Sequence, residues 1–193
     1  MRVLVLYAHP VEESYSAALR RAAVETLERA GHQVDVCDLY SEGFDPILTR
    51  SERIGYHDLV NNRAPVAGHV ERLLAAEALV LIYPVWNFGY PAILKGFLDR
   101  VFLPGVSFRM ADGKVVPNLR NIRKLAAVTT YGGARWRAFL LGDPPRKLVL
   151  NVLRRLISPG APSRYLALYD MNRATPADRD RFLATVRREI GRF

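Results

Sequence analysis

Three short stretches of the chain concentrate residue types that hold anions and flat rings. HPVEESYS (9–16) offers the hydroxyls of Ser14 and Ser16, with Tyr15 between them and the imidazole of His9 close by. A helical pattern begins at Ser16, so the unpaired amides of a first turn lie at the same place, where the helix dipole favours negative charge. No glycine occurs between Tyr7 and Gly31, which excludes the glycine-rich dinucleotide fingerprint, and there is no Walker lysine. A phosphate held by hydroxyls and amides fits this turn; Ser14 or Ser16 serving only as a helix cap is the alternative.

The second stretch, PVWNFGYP (84–91), carries no charge and sets Trp86, Phe88 and Tyr90 around Asn87 and Gly89. Aromatic side chains at a strand end are often core. Three of them in a loop bracketed by prolines suit a rigid wall for a flat ring, with backbone amides fixed in place. The third stretch, TTYGGARW (129–136), supplies Thr129, Thr130 and Tyr131 and then the pair Gly132–Gly133, where missing side chains let the backbone approach a ligand closely.

These stretches need elements that bring them together. Five apolar runs, 3–7, 33–40, 78–84, 124–131 and 164–171, are short and rich in Val, Leu and Ile. Several are apolar on both faces, as parallel strands buried on both sides require. Helical patterns cover 16–30, 66–77, 91–102, 144–157 and 175–190. Gly31 is a stop for the first, Pro91 opens the third, and Thr175 is an N-cap for the last, with Pro176 and Asp178 in its first turn. Strict alternation with right-handed crossovers predicts an α/β fold, an open, doubly wound, flavodoxin-like five-stranded parallel sheet of order 2-1-3-4-5 with helices on both faces. The ligand crevice then opens at the carboxyl ends of strands 1 and 3. Two connections are long: 41–65 contains TRSE, a capping box for a short extra helix, and 104–118 contains ADGK, the turn of a small excursion.

In that topology the three stretches meet at one crevice. A phosphate site, a wall for a planar ring and a close-approach loop together point to a flavin, its phosphate on the first loop and its isoalloxazine between the other two. Fixed N–H donors near the ring would stabilise negative charge on the reduced flavin.

The totals narrow the class. The length of 193 residues suits a single domain spanning 1–193. The net charge of +9 comes mostly from arginine, scattered over solvent faces at Arg20, Arg21, Arg154, Arg155, Arg187 and Arg188. No nucleic-acid-binding motif accompanies it, so attraction of anionic cofactors and substrates is the simpler reading. Arg135 and Arg137 lie just beyond the third loop, where they would attract nicotinamide phosphates or remain solvated. No run suggests membrane insertion or a signal peptide, and the one cysteine, Cys37, is read as a buried reduced thiol, as in the cytoplasm. No metal-ligand motif is read.

AHP followed by SYS, then YPVWNFGYPAILKGFLDRVF, TTYGG and TPADR, resembles the flavodoxin-like NAD(P)H:quinone oxidoreductase family, of the DT-diaphorase type with short bacterial members. The similarity runs along nearly the whole chain. It implies that His9, Ser14, Tyr15 and Ser16 hold the flavin phosphates. Pro84, Val85, Trp86, Asn87, Phe88 and Gly89, with Thr129, Thr130, Tyr131 and Gly132, line the isoalloxazine. It also implies FAD, with FMN as alternative, and ping-pong transfer of two electrons from NAD(P)H to a quinone or similar acceptor. A cytosolic homodimer follows too, with the helix carrying Lys95–Gly96 near the partner. An electron carrier or regulatory subunit, an azo- or nitroreductase and a flavin-free nucleotide-binding module are the rivals. The chain departs from the larger enzymes in GARWRAFLLGD (133–143), which lacks their relay histidine and a matching tyrosine. Tyr131 is the only catalytic candidate. Ser16 replaces an asparagine, Tyr15 a phenylalanine, and the long C-terminal extension is missing, which leaves FMN open beside FAD.

Overall fold

The computed structural model describes residues 1–193. Five parallel strands, β1 (Arg2–Tyr7), β2 (Gln33–Asp38), β3 (Ala78–Val85), β6 (Lys124–Tyr131) and β7 (Ser163–Leu168), pair in the order β2-β1-β3-β6-β7. By position in the sheet this is the expected 2-1-3-4-5. A separate antiparallel hairpin, β4 (Phe108–Ala111) and β5 (Lys114–Pro117), fills the excursion read from ADGK. Asp112 and Gly113 turn it with positive φ of 49° and 73°, the geometry of a type I′ turn.

Alternation along the strands divides the core between the two faces of the sheet. Val3, Val5, Val80, Ile82, Ala126 and Val128 pack with Leu19 and Leu27 of α1 (Tyr15–Arg29) and with Val186 and Ile190 of α8 (Pro176–Ile190). Leu4, Leu6, Leu79, Leu81, Leu125 and Ala127 face the other way, toward Val70 and Leu73 of α3 (Ala67–Ala75) and Leu94 and Phe97 of α4 (Ala92–Val101). Both faces are therefore sealed, and what remains open is the carboxyl edge.

Local signals set most boundaries. Ser14 caps α1 by accepting from the Ala17 amide, and Thr49 and Thr175 form capping boxes with Glu52 and Asp178. The first box starts α2 (Arg50–Ile54), the short helix expected within 41–65. Pro91 proves to be the N-cap of α4 rather than its first residue. Two expectations need correction. The helix read as 144–157 is α6 (Pro144–Lys147) and α7 (Arg154–Leu156) joined by a π segment, Leu148–Leu153. An unforeseen helix, α5 (Arg135–Leu140), precedes it; Trp136, Phe139 and Leu140 stay exposed, so it lacks the buried stripe that would announce it.

Arg20 is another correction: it is no solvated surface charge. It pairs with Asp38 at 2.5 Å and lies 4.6 Å over the Tyr7 ring. Gly96 also has a neighbour within its own chain. A Cβ built there would fall 2.3 Å from the Pro46 carbonyl oxygen and 2.4 Å from its Cα, so the 41–49 connection lies directly on α4. Arg100 holds that connection in place, donating to the Asp45 carbonyl and pairing with Glu52 at 2.7 Å. No helix is long and apolar enough to cross a membrane.

Candidate active site

The first loop leaves β1 at Tyr7, and the Ala8 amide still bonds to Ile82, which carries the strand direction into the turn. Ser14 Oγ accepts from the Ala17 amide at 3.1 Å, so the capping alternative is realised for this residue. It caps the helix while bordering a cavity. The amides of Tyr15 and Ser16 precede any intrahelical acceptor and remain available to a ligand. His9 Nδ1 accepts from the Val11 amide at 3.0 Å. Burial depresses its pKa, so near neutral pH the ring is uncharged and the proton sits on Nε2, a donor. The Tyr15 hydroxyl donates to the Arg179 carbonyl at 2.7 Å, which ties the loop to α8, and burial pushes this phenol up to about 12.

The second loop is a two-residue turn. Trp86 and Gly89 exchange amide–carbonyl bonds of 3.2 and 2.8 Å around Asn87 and Phe88, which have φ of 48° and 56°. Left-handed backbone at two consecutive non-glycine residues costs about 1–2 kcal/mol each where the side chain is bulky. It is the turn, more than its flanking prolines, that fixes Trp86 opposite His9, with ring centroids 5.9 Å apart.

The third loop follows β6. Tyr131 is buried and its hydroxyl is fully engaged, donating to Asp143 Oδ1 at 2.6 Å and lying 2.6 Å from the Tyr165 hydroxyl. Its ring stacks on Tyr169 at 4.5 Å, and Tyr169 donates to the other Asp143 oxygen at 3.2 Å. Burial, with Tyr165 and Asp143 alongside, pushes the Tyr131 phenol far above its ordinary range. Gly132 then passes so close to the β7–α8 connection that a Cβ would sit 3.3 Å from Asn172 Nδ2.

Two adjoining cavities result. One of about 250 Å³ is bordered by His9, Ser14, Tyr15, Ser16, Pro84, Val85, Trp86, Thr130 and Gly132. The other, of about 510 Å³, is bordered by Val85, Asn87, Phe88, Tyr131 and Gly132, with Trp136 and Arg137 on its far wall. Val85, Gly132 and Asn172 border both. Of the loop residues singled out from sequence, Gly89, Tyr90 and Thr129 border neither; Tyr90 is no part of the expected ring wall but packs inward, 4.7 Å from the Tyr83 ring, with its hydroxyl donating to the Pro145 carbonyl. Gly89 closes the Trp86 turn, and Thr129 is fully buried with Oγ1 unpartnered.

Sequence reasoning missed Asp170, Met171, Asn172 and Arg173, which line these cavities. The fifth apolar run extends in sequence to 171, whereas β7 ends at Leu168 and Asp170 turns the chain with φ 58°. The pairing of Thr130 with Leu168 brings this corner beside the third loop, and the Asp170 amide bonds to the Gly133 carbonyl at 2.8 Å. The polar DMNR following a strand was the available signal.

A five-stranded parallel sheet in this order, with its crevice at the ends of β1, β3 and β6, defines the flavodoxin class of fold. Residues 1–151 match the family described as Flavodoxin-like fold, and the chain belongs to that family. It is 32% identical over 147 residues to the Cavia porcellus protein named NAD(P)H dehydrogenase (quinone) 1, covering 68% of this chain and 54% of that one. The chain thus spans about half the length of this curated relative. Among solved structures, the NAD(P)H:quinone oxidoreductase from Methanothermobacter marburgensis superposes with TM-score 0.85 at 26% identity, covering 99% of this chain and 98% of that one. An FMN-dependent NADH-azoreductase from Bacillus anthracis, solved with FMN, shares the fold alone, with TM-score 0.79, 16% identity and coverage of 99% and 98%.

Proposed function

We propose that this protein is a flavin-dependent NAD(P)H oxidoreductase that passes two electrons, in ping-pong fashion, to a quinone or similar small aromatic acceptor. The observation that carries this reading is the pair of adjoining cavities: a polar one at a helix start, opening across Val85 and Gly132 into a larger one walled by Phe88, Trp136 and the Tyr131 loop. That is the shape and polarity of a phosphorylated ribityl chain joined to a planar ring system.

The residues fit such a group. The Ser16 hydroxyl, the Tyr15 and Ser16 amides and His9 Nε2–H are donors without basic side chains, suited to flavin phosphate oxygens held near a helix N-terminus. Gly132 is a cradle that a Cβ would fill. When bound, the flavin supplies the hydride acceptor and donor. The chain orients it: the Asn87–Phe88 turn and the Tyr131–Asp143–Tyr169 anchor hold two backbone segments rigid on either side of the ring. Trp136, about three-fifths exposed, leaves the outer wall accessible to an incoming nicotinamide or acceptor. Tyr131 serves in positioning, since its hydroxyl is occupied by Asp143 and Tyr165 and its proton is held too tightly for transfer near neutral pH. The flavin is read as FAD, with FMN, the cofactor named for the azoreductase of the same fold, as the alternative. The working unit is read as a cytoplasmic homodimer of one flavin-binding domain per chain.

Purified protein should show flavin absorption bands that bleach on anaerobic addition of NADPH and return on adding a quinone. Bands that persist would instead indicate a carrier or regulatory protein. Mass analysis of the released cofactor distinguishes FAD from FMN. Replacing Gly132 by valine should expel the flavin; full flavin content in that variant would refute the placement of the third loop.

A further inference from the structure

Beside the ring-sized cavity lies a second, cationic one of about 380 Å³, bordered by Arg135, Arg146, Lys147, Asn151 and Tyr169, with Phe139 and Leu150 as apolar sides. None of its three cations has an ion-pair partner, although Arg20, Arg72, Arg100 and Arg123 elsewhere are each matched to a carboxylate. Arg146 is oriented by the Tyr165 ring, with its guanidinium carbon 5.6 Å from the centroid. The Lys147 ammonium lies over Gly142, 3.2 Å from where a Cβ would stand, and Gly142 has φ 78°. The one carboxylate on the wall, Asp143, is turned inward: its two oxygens accept from Tyr131 and Tyr169. The cavity therefore presents three positive groups to solvent with no free negative one. α6 begins with Pro144 and Pro145, which have no amide hydrogens to offer, so any anion here would be held by side chains.

The position of this cavity indicates which anion it takes. Tyr131 borders the ring-sized cavity and Tyr169, stacked on it, borders the cationic one, so the two lie one aromatic layer apart. A third cleft is bordered by Tyr169, which also borders the cationic cavity, and by Asp170 and Arg173, which also border the ring-sized one. A dinucleotide whose nicotinamide reached the ring wall has that cleft beside it for its adenosine end. We infer that Arg135, Arg146 and Lys147 form a pocket for the 2′-phosphate of NADPH, making this chain selective for the 2′-phosphorylated donor over NADH. The inference rests on the oxidoreductase reading above and specifies its donor. A phosphomonoester dianion satisfies several cations at once, with guanidinium forks matching its oxygens. The 2′-hydroxyl of NADH offers none of that charge.

The test uses the flavin-loaded protein. Steady-state kcat/KM for NADPH and NADH is compared in the native chain and in Arg146→Gln/Lys147→Gln, and the affinity of 2′,5′-ADP and 5′-AMP is measured by calorimetry in both. Each lost charge-assisted contact corresponds to about tenfold in affinity. The native NADPH-to-NADH ratio should then be at least tens, falling toward one in the double variant, mainly through KM for NADPH. 2′,5′-ADP should bind the native chain at least ~10-fold more tightly than 5′-AMP, by the same reasoning, and the variant should lose that difference. Equal use of NADPH and NADH by the native chain would overturn the pocket while leaving the oxidoreductase reading intact. If neither dinucleotide is oxidised but 2′,5′-ADP still binds in a manner lost in the variant, the pocket stands and the enzymatic reading fails. Equal affinity for the two adenosine phosphates would remove the pocket.

Discussion

Replacing Gly96 by alanine should destabilise this protein strongly, while the same change at Gly68 should stabilise it. At Gly96 the added carbon would lie 2.3–2.4 Å from three atoms of Pro46, two of them backbone, where ordinary contact needs at least 3.4 Å. The 44–52 segment must therefore retreat from α4 by about 1 Å, a displacement of the kind that makes overpacking costly. That segment is fastened by Phe44, whose ring is 5.4 Å from Phe97, and by the Arg100–Glu52 pair, whose side chains are only 10% and 11% exposed. Overpacking costs about 1–3 kcal/mol, and loosening a buried ion pair adds to it. A loss of about 3 kcal/mol is expected, and at this chain length it lowers Tm by roughly 6–12 °C. Gly68 is in α3 with nothing within 4 Å of its added carbon. Alanine there contributes up to about 1 kcal/mol of helix propensity. Urea titration of both variants gives the two free energies, and sedimentation gives the association state. A Gly96→Ala chain within ~0.5 kcal/mol of the parent, the range of changes at unconstrained sites, would refute the contact with Pro46. A normally stable chain that no longer self-associated would put Gly96 at a subunit interface instead.

Three further outcomes are expected. Asn87→Val, β-branched at φ 48°, should cost about 1–2 kcal/mol and lower flavin retention, whereas Asn87→Gly should do neither; equal behaviour of the two would show that the backbone there is not left-handed. Nitrogen NMR of His9 should report a neutral ring protonated at Nε2 at pH 7, and a titration midpoint at or above the ordinary 6.5 would contradict the partial burial that lowers it. Cys37, whose thiol donates to Glu42 at 3.6 Å, is pushed by burial from its ordinary 9.0 up to about 12. A raised folded pKa means its contribution is whole below about pH 9 and is lost as pH climbs toward 12, by about 1.4 kcal/mol per unit. Cys37→Ala should flatten the fall of stability between pH 9 and 11, and an unchanged slope would refute the shift.

How far the sequence disclosed this arrangement depends on whether a feature is local. The strands announce themselves because β1, β3 and β6 must be apolar on both faces, and the caps at Thr49 and Thr175 are written in four consecutive residues. The first two loops of the candidate site are legible for the same reason. Asp143 and the 170–173 corner were not. Their importance comes from the register of β7 against β6 and from side chains meeting across it, as when Tyr131 reaches Asp143 and Tyr165. α5 stayed hidden because its apolar residues face outward, and the clasp between Pro46 and Gly96 because fifty residues separate its halves. The Arg20–Asp38 pair is hidden likewise, since a count of charges does not separate a paired arginine from a free one.

The distribution of strain follows a single logic. Five non-glycine residues have positive φ; Asp112 turns the distant hairpin, and the other four, Asn87, Phe88, Asp143 and Asp170, all surround the crevice. Each is fixed by a bond that relaxed backbone would forfeit: the paired amides of the Trp86–Gly89 turn, the phenols on Asp143, and the Asp170 amide on Gly133. Such conformations cost of order 1–3 kcal/mol apiece, and a sheet sealed on both faces supplies the margin that sustains them. Arginines that brace the scaffold, such as Arg72 between Asp35 and Glu42, are matched; those near the crevice at 135, 137, 146 and 173 have no carboxylate partner, as is also true of Arg21, Arg154 and Arg155 on other faces. Four of the strained backbone positions and several unmatched arginines therefore stand at one edge of the sheet, positive potential beside preorganised backbone. An anionic, planar ligand is the chemistry that uses both.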